Sequence, residues 1–422
     1  MISPDQLLDL KVRNPVNTVA GQWVKLRSAG RRGWVGPCPL CSPDPQSRSA
    51  TRFECTADKW VCAVCEDGGD VVKLMRKREG VTFPDAVDRL GGAREEAPTP
   101  EIAKRRGRAD CRAADAPGDR PARYPDNYTT AALRDAYEAG WRAQRRADAY
   151  EVFARERERK RLFTFWEAAR AGDHVAYLRR RGVDIPPGAK LRTHPDMPYF
   201  ADGKENEPLR VCSGPAMLAP ILMPAPDRDV FAGLHITWLD PEGPKGKRVI
   251  IHPHTGEVMP SKKVRGSKRG GYIPLGGVCD PFDDRAPWRR LIAGEGIETV
   301  LAVYTALSFS ARDLRGTLFR SSADLGNLAG RSLETVAHPT LKTPGGRAQR
   351  VPGPTPDLGE PAMPVPDTID ELVLLGDGDS EPFMTRHALA RAAARNAREG
   401  RTVRQRFAPA GVDFDDMMPS RD

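Results

Sequence analysis

The spacing of apolar and polar positions divides the chain into four stretches. Over residues 1–92, short apolar runs are broken by polar turns and give way to two helical patterns. Val71, Val72, Leu74 and Met75 follow Asp70, a residue suited to capping a helix that runs to Glu79. Thr82 to Asp85 then forms a capping-box signature for a second helix ending at Gly91. Residues 93–125 are rich in Pro, Ala and charge without any period, which predicts a flexible linker. Residues 130–170 hold good helix formers with an Arg/Glu surface, so 93–171 read as a linker plus a charged helix.

From Gly172 the pattern changes. "HVAYLRRRGVD" predicts a helix closing at Gly182. "LAPILMPA", "VFAGLHITWLD" and "RVIIHP" predict antiparallel strands separated by Pro, Gly and Asp turns. With the basic stretch "PSKKVRGSKRGGYIPLGG", residues 172–285 read as a mixed α/β basic subdomain. Residues 286–422 alternate strand and helix, the signature of a parallel sheet, and carry a Pro/Gly-rich insertion at 339–367 that reads as a loop. The fold class is multidomain α+β: a small N-terminal cysteine module, a helical linker, the mixed α/β subdomain and an α/β domain with a parallel sheet.

Charge changes the picture next. Sixty-six Lys and Arg against 57 Asp and Glu give a formal charge of +9. Such a balance favours a polyanionic partner, most often nucleic acid, although a genome that writes Arg freely produces the same excess. No run approaches ~18 apolar residues, and the first residues lack the basic start and apolar core of a leader, so a cytoplasmic protein is expected. Four of the eight cysteines fall in two C-x-x-C pairs, which suggests metal rather than disulfides.

Cys38, Cys41, Cys62 and Cys65 are spaced C-x2-C-x20-C-x2-C. Each pair can present two thiolates on one side of a tight turn, and Zn²⁺ takes four such donors in a tetrahedron. "TRFECT" and "KWVCAVC" predict two strands joined at Ala57-Asp58-Lys59, which returns the second pair to the first: a zinc ribbon holding one structural Zn²⁺. Cys55, mid-strand, reads as a packing or surface residue. "CPLC", "TRFEC", "KWVCAVC", "GGDVVKLM" and "GVTFPDAVDRL" together resemble the CHC2-like zinc domain of DnaG-type and phage primases, with Cys41 where many cellular primases carry His. The resemblance implies a ribbon that reads single-stranded template. Trp34, Phe53 and Trp60 would be its stacking aromatics, and Arg48, Arg52 and Lys59 its cations, unless the aromatics fill the ribbon's own core.

The second constellation is acidic. "RRLIAGEGIETVL" sets Glu295 directly after a buried-looking strand, and "ELVLLGDGDSEPF" sets Asp377 and Asp379 after another. In an open parallel sheet, ligands bind at the carboxyl ends of the strands, so neighbouring strands would gather these acids on one edge. Three carboxylates there repel unless a cation sits among them, and Mg²⁺ or Mn²⁺ suits oxygen donors. Gly294, Gly296, Gly376 and Gly378 leave room for close approach of backbone or phosphate. The pattern resembles the TOPRIM domain of DnaG-type primases, topoisomerases and some nucleases, and "APAGVDFDDMM" is similar to an ending seen in phage and plasmid primases. By that resemblance Glu295, Asp377 and Asp379 would be catalytic and bind Mg²⁺, with Asp413 assisting; Asp415 and Asp416, close by in the tail, are further candidates by position. Lys262, Lys263, Arg265, Lys268 and Arg269 would contact template phosphates or the incoming triphosphate, with a solvated basic loop as the alternative. His252 and His254 read as turn residues.

Together the motifs imply a DNA primase that joins ribonucleoside triphosphates into short RNA primers on single-stranded DNA. No G-x-x-x-x-G-K-[ST] loop occurs, so no fused helicase motor is expected; the resemblance to primases implies a separate replicative helicase as partner. The build suggests a phage, plasmid or integrated-element replication protein. The rivals are a TOPRIM-type metal-dependent nuclease and a non-catalytic single-stranded DNA binding replication module.

Overall fold

A computed structural model describes residues 2, 4–30, 33–42, 52–65, 67–92, 99–202, 207–280, 288–310, 312–342 and 348–419. The chain forms two compact units, 1–154 with 337–351, and 155–336 with 352–422.

The first unit opens with α1 (Pro4–Arg13) and α2 (Val16–Ala20). A five-stranded antiparallel sheet follows in chain order: β1 (Arg27–Ser28), β2 (Trp34–Gly36), β3 (Phe53–Cys55), β4 (Trp60–Cys62) and β5 (Asp67–Gly69). Behind it lie α3 (Val71–Glu79) and α4 (Phe83–Arg89). Asp70 accepts the Lys73 amide at 2.8 Å and starts α3, Gly80 ends it in the left-handed region, and the Thr82/Asp85 capping box is complete. Phe53, Trp60, Leu10, Val16 and Leu74 close one small core.

The segment read as a flexible linker contains α5 (Pro100–Ala113). Thr99 caps it, Pro100 sits in its first turn, and Ala103, Gly107 and Cys111 make a buried stripe at spacing four. That stripe is too short in apolar bulk to show as a period. It packs instead through close backbone approach to α6 (Ala131–Ala168), the predicted charged helix, which runs on into the second unit.

In the second unit, α7 (His174–Arg180) ends before Gly182, whose φ is +74°. A four-stranded antiparallel sheet has the order β11-β8-β7-β6, from β6 (Arg192–Asp202), β7 (Pro208–Met223), β8 (Val230–Trp238) and β11 (Lys262–Gly266). The hairpin β9 (Ile250–Ile251) and β10 (Val258–Met259) lies between β8 and β11 in sequence.

The last sheet has the order β12-β14-β13-β17-β18. Its members are β12 (Ile273–Val278), β13 (Arg290–Gly294), β14 (Thr317–Ser321), β17 (Glu371–Gly376) and β18 (Thr402–Phe407). β14, β13, β17 and β18 run parallel, and β12 is an antiparallel edge. Alternate residues bury on opposite faces. Leu291, Ala293, Leu372 and Leu374 join the cluster of α10 (Pro382–Asn396), whereas Ile292 and Leu375 join that of α8 (Ile297–Phe309). A sheet covered on both faces needs the unbroken apolar runs seen in its strands. α9 (Leu325–Ala329) precedes a two-stranded hairpin, β15 (Thr335–Lys342) and β16 (Ala348–Pro352), so the 339–367 insertion carries strand pairing where a loop was read. β15 is mostly exposed along its length and the pair buries only a few side chains, His338, Gln349 and Val351 among them, so no apolar period marked it in the sequence.

Candidate functional site

The ribbon's geometry comes from the β3–β4 hairpin. Phe53 pairs with Cys62 and Cys55 with Trp60, around a turn in which Thr56 Oγ1 accepts the Asp58 and Lys59 amides. This returns the Cys62/Cys65 knuckle to Cys38 and Cys41. Cys38 and Cys65 sulfurs lie 3.8 Å apart, Cys41 and Cys62 sulfurs 3.7 Å, and all four ligand atoms fall within 4.8 Å of one another. A tetrahedron with Zn–S bonds of about 2.3 Å has sulfur–sulfur edges of roughly 3.8 Å, so the donor set fits Zn²⁺. The Leu40 amide donates to Cys38 and the Cys65 amide to Cys62, each at 3.4 Å, which favours thiolates. Cys55 faces the core, and burial pushes its thiol up to about 12. Phe53 and Trp60 are buried too, their rings stacked 5.8 Å apart; of the three candidate aromatics Trp34 alone keeps partial exposure. Arg48 lies outside the described residues.

The acids converge as the strand order requires. Arg290–Ala293 of β13 pair in parallel with Glu371–Leu374 of β17, so Glu295 and Asp377 each follow the carboxyl end of one of two neighbouring strands. The loop after β18 is zipped to the loop after β17: the Gly378 amide donates to Val412 O at 3.1 Å and the Gly411 amide to Gly378 O at 2.7 Å. A Cβ on Gly378 would stand 1.9 Å from Pro409 O. The glycine therefore admits the neighbouring backbone, and that contact brings Asp413 to Asp379. Burial first, then a hydrogen bond with Asp379 and the charges of Asp377 and Asp379, push the Asp413 carboxyl up to about 7. Asp377 is also raised, chiefly by burial and also by the Asp379 charge, against the Thr299 hydroxyl, whose one proton is shared between the two carboxylate oxygens at 3.0 and 3.1 Å. Among the described residues only the four cysteines bring three or more metal-donor atoms within 4.8 Å, so the carboxylates line a rim wider than a closed cage.

Asp415 and Asp416 do not join that rim. Buried Asp415 pairs with Arg181, just past α7, and Asp416 with Lys245. They anchor the C-terminal segment, because an arginine buried beside it needs a counter-charge.

The five candidate cations sit mostly on a strand rather than a loop, and each has a partner. Lys262 donates to Glu298 at 2.8 Å, and Lys263 donates to Phe200 O at 2.6 Å while lying 3.8 Å from the centre of the Tyr199 ring. Arg265 pairs with Glu158, Lys268 with Asp324, and Arg269 with Glu360 at 3.5 Å. His252 Nδ1 accepts the His254 and Thr255 amides, the expected turn role.

Glu298 and Thr299 escaped the sequence reading. Glu298 is 3% exposed in the first turn of α8, where it accepts from Tyr177 Oη at 2.5 Å as well as from Lys262. Burial opposes its ionisation, yet the charges of Lys262 and Lys247 outweigh burial and hold its carboxyl well below the usual range. Only helix position was legible for it, since its partners are 36 and 121 residues away. A groove of about 940 Å³ also opens in this unit, with Phe163, Trp166 and Trp288 on its walls and exposed Lys190 and Arg228 at its mouth.

Residues 2–101, which hold the four-cysteine ribbon and its two capped helices, match the family described as CHC2 zinc finger. Residues 156–275 match a family described as a domain of unknown function, DUF7146. The chain is 34% identical over 80 residues to a DNA primase of Streptomyces coelicolor and 29% identical over 119 residues to one of Enterococcus faecalis. Those stretches cover 18% and 25% of this chain and span 12% and 18% of the relatives' own length. Among solved structures, it is similar to a DNA primase domain from Pseudomonas aeruginosa, with 11% identity, a TM-score of 0.29, and 58% of this chain and 67% of that one covered. A DnaG catalytic core matches with 15% identity, a TM-score of 0.31, and coverage of 62% and 73%. The resemblance to DnaG-type primases first read from the cysteine motif thus recurs in the comparisons.

Proposed function

We propose that the chain is a DNA primase, joining ribonucleoside triphosphates on a single-stranded DNA template, with residues 286–422 as a TOPRIM domain. The observation that carries this is the rim of Glu295, Asp377, Asp379 and Asp413 on neighbouring strand ends of a parallel sheet, in a chain with a CHC2 zinc finger. The donors are all oxygen, and Asp413 is pushed up first by burial and then by its acidic neighbours, which fits acids gathered for a cation. Asp377, Asp379 and Glu295 would hold Mg²⁺ or Mn²⁺, with Asp413 assisting. When bound, the metal would neutralise triphosphate charge and favour ionisation of the attacking hydroxyl.

The chain's own part is placement. Thr299 holds Asp377 in one orientation through both carboxylate oxygens. Lys262, which shares one carboxylate with Lys247, would meet phosphate, while Lys263, Arg265, Lys268 and Arg269 brace the subdomain through partners of their own. The groove of Phe163, Trp166 and Trp288 offers stacking faces beside positive charge, which suits unpaired template bases. A separate replicative helicase is the partner this reading expects.

The test is purified protein with single-stranded DNA, labelled ribonucleotides and Mg²⁺ or Mn²⁺. Short RNA should form, and Asp377→Ala and Asp379→Ala should each lower its rate by at least about 10²-fold, as loss of a transition-state charge ligand does. Cleavage of the DNA in its place would make the chain a nuclease. Binding with neither product would make it a recognition module.

A further inference from the structure

We infer that Glu298 is a positioning residue for nucleotide joining: its buried carboxylate fixes Lys262 and Lys247 as one cationic pair next to the acid rim. The inference rests on the reading of that rim as the joining site.

The geometry is specific. The Glu298 Oε1 atom takes the Tyr177 hydroxyl at 2.5 Å and lies 3.9 Å from Lys247 Nζ, while Oε2 takes Lys262 Nζ at 2.8 Å. One carboxylate thereby ties α8 to α7, to β11 and to the segment before β9. Two lysines share one negative charge, so positive charge is left over. Their side chains remain 24% and 34% exposed, against 4% for that of Glu298, so the surplus faces outward. The next residue along α8, Thr299, is the one that holds Asp377. The cation pair and the acid rim are therefore set by consecutive residues of a single helical turn, and the charge of Lys262 is felt at Asp377.

The groups facing Lys247 are Lys262 on β11, Glu298 on α8, Arg181 beyond α7, His235 on β8 and Asp416 near the C-terminus. Burial first, then Lys262, lower the Lys247 ammonium to about 8, with Glu298 opposing. Burial lowers His235 to about 4, so it adds no charge at neutral pH. Neutralising Glu298 removes the main anion holding Lys247 protonated, and the pair then loses a proton at lower pH.

The full chain is assayed for ATP binding by calorimetry and for primer synthesis between pH 6.5 and 9.5. Glu298→Gln should weaken ATP binding about ten-fold, with kcat falling less, and should move the alkaline fall-off about one pH unit lower. Glu298→Asp should restore the fall-off to its wild-type position. Glu298→Gln with Lys262→Met should be no worse than Lys262→Met alone. An unmoved fall-off, or fully additive losses, overturns the inference. If Glu298→Gln does not fold, Lys247→Met decides, because it should abolish the alkaline fall-off, and a retained one overturns the inference. Wild-type protein that binds ATP with this pH profile but makes no RNA would end the primase reading and leave the pair's role standing. Wild-type protein that makes RNA while Glu298→Gln matches it at every pH would end this inference alone.

Discussion

Glu298 shows what a single residue can hold and how little of that is written locally. In the sequence it is one more helix former after Gly296, three residues past the acid that drew attention. Its burial and its three partners come from contacts closed over 36 to 121 residues. The consequence for stability follows from its charge. Its folded carboxyl is held below the ordinary glutamate value of 4.5. A depressed carboxyl contributes stability that is fully present above the unfolded value and is lost as pH falls, because the unfolded chain then binds the extra proton. Glu298→Gln should therefore cost about 3 kcal/mol at pH 7, since it leaves two lysines without their buried partner. The gap to wild type should narrow steadily as pH is lowered from about 5 toward 3. Denaturant melts at a series of pH values measure both, and a gap that stays constant through the acid range would show that the charge is not what matters.

Elements were legible where side-chain pattern carries them and silent where backbone packing does. The β3–β4 hairpin, both capped helices and the strand–acid–helix steps at Glu295 and Asp377 could be read, because cysteine spacing, capping residues and apolar runs are local signals. α5 could not, since it meets α6 through glycines. A Cβ on Gly107 would lie 2.0 Å from Tyr137 O, and one on Gly140 would lie 1.9 Å from Lys104 O. Each helix thus presses its neighbour's backbone at a glycine, and Tyr128, Tyr137 and Trp141 pack around the contact. Alanine gains about 1 kcal/mol over glycine in a helix interior. Here Gly140→Ala should instead destabilise by about 1–3 kcal/mol, because the helices must part to admit the methyl. Thermal melts of the full chain would read this as a lower Tm in the first transition to unfold. An alanine variant as stable as wild type would mean that the α5–α6 contact is looser than described.

At the scale of the whole molecule, the sequence carried the net charge but not where it is spent. The strand order β12-β14-β13-β17-β18 was open because the insertion separates β14 from β17, and the parallel pairing resolves which acids meet. The +9 charge and a lysine- and arginine-rich stretch suggested five phosphate contacts. Five such contacts on single-stranded DNA would give a slope of log K against log salt of about −3.5. Lys263, Arg265 and Lys268 are committed to Phe200 O, Glu158 and Asp324. Arg269 is paired with Glu360 as well, and Lys262 and Lys247 share the single charge of Glu298. An ion-paired cation releases no counterion on binding unless its partner is displaced, so binding through Lys190, Arg228 and the one charge left over on that lysine pair should give a slope nearer about −2. The remaining affinity would come from bases stacked on Phe163 and Trp166, at about 1–3 kcal/mol per base. Trp166→Ala should then weaken binding about ten-fold or more without changing the slope, whereas Arg228→Ala should flatten the slope by about 0.7 with a smaller loss near physiological salt. Fluorescence titrations with an oligonucleotide at several salt concentrations separate the two effects. A slope near −3.5 that flattens in Lys263→Ala and Arg265→Ala, with Trp166→Ala binding normally, would return the template to the basic strand and remove it from the aromatic groove.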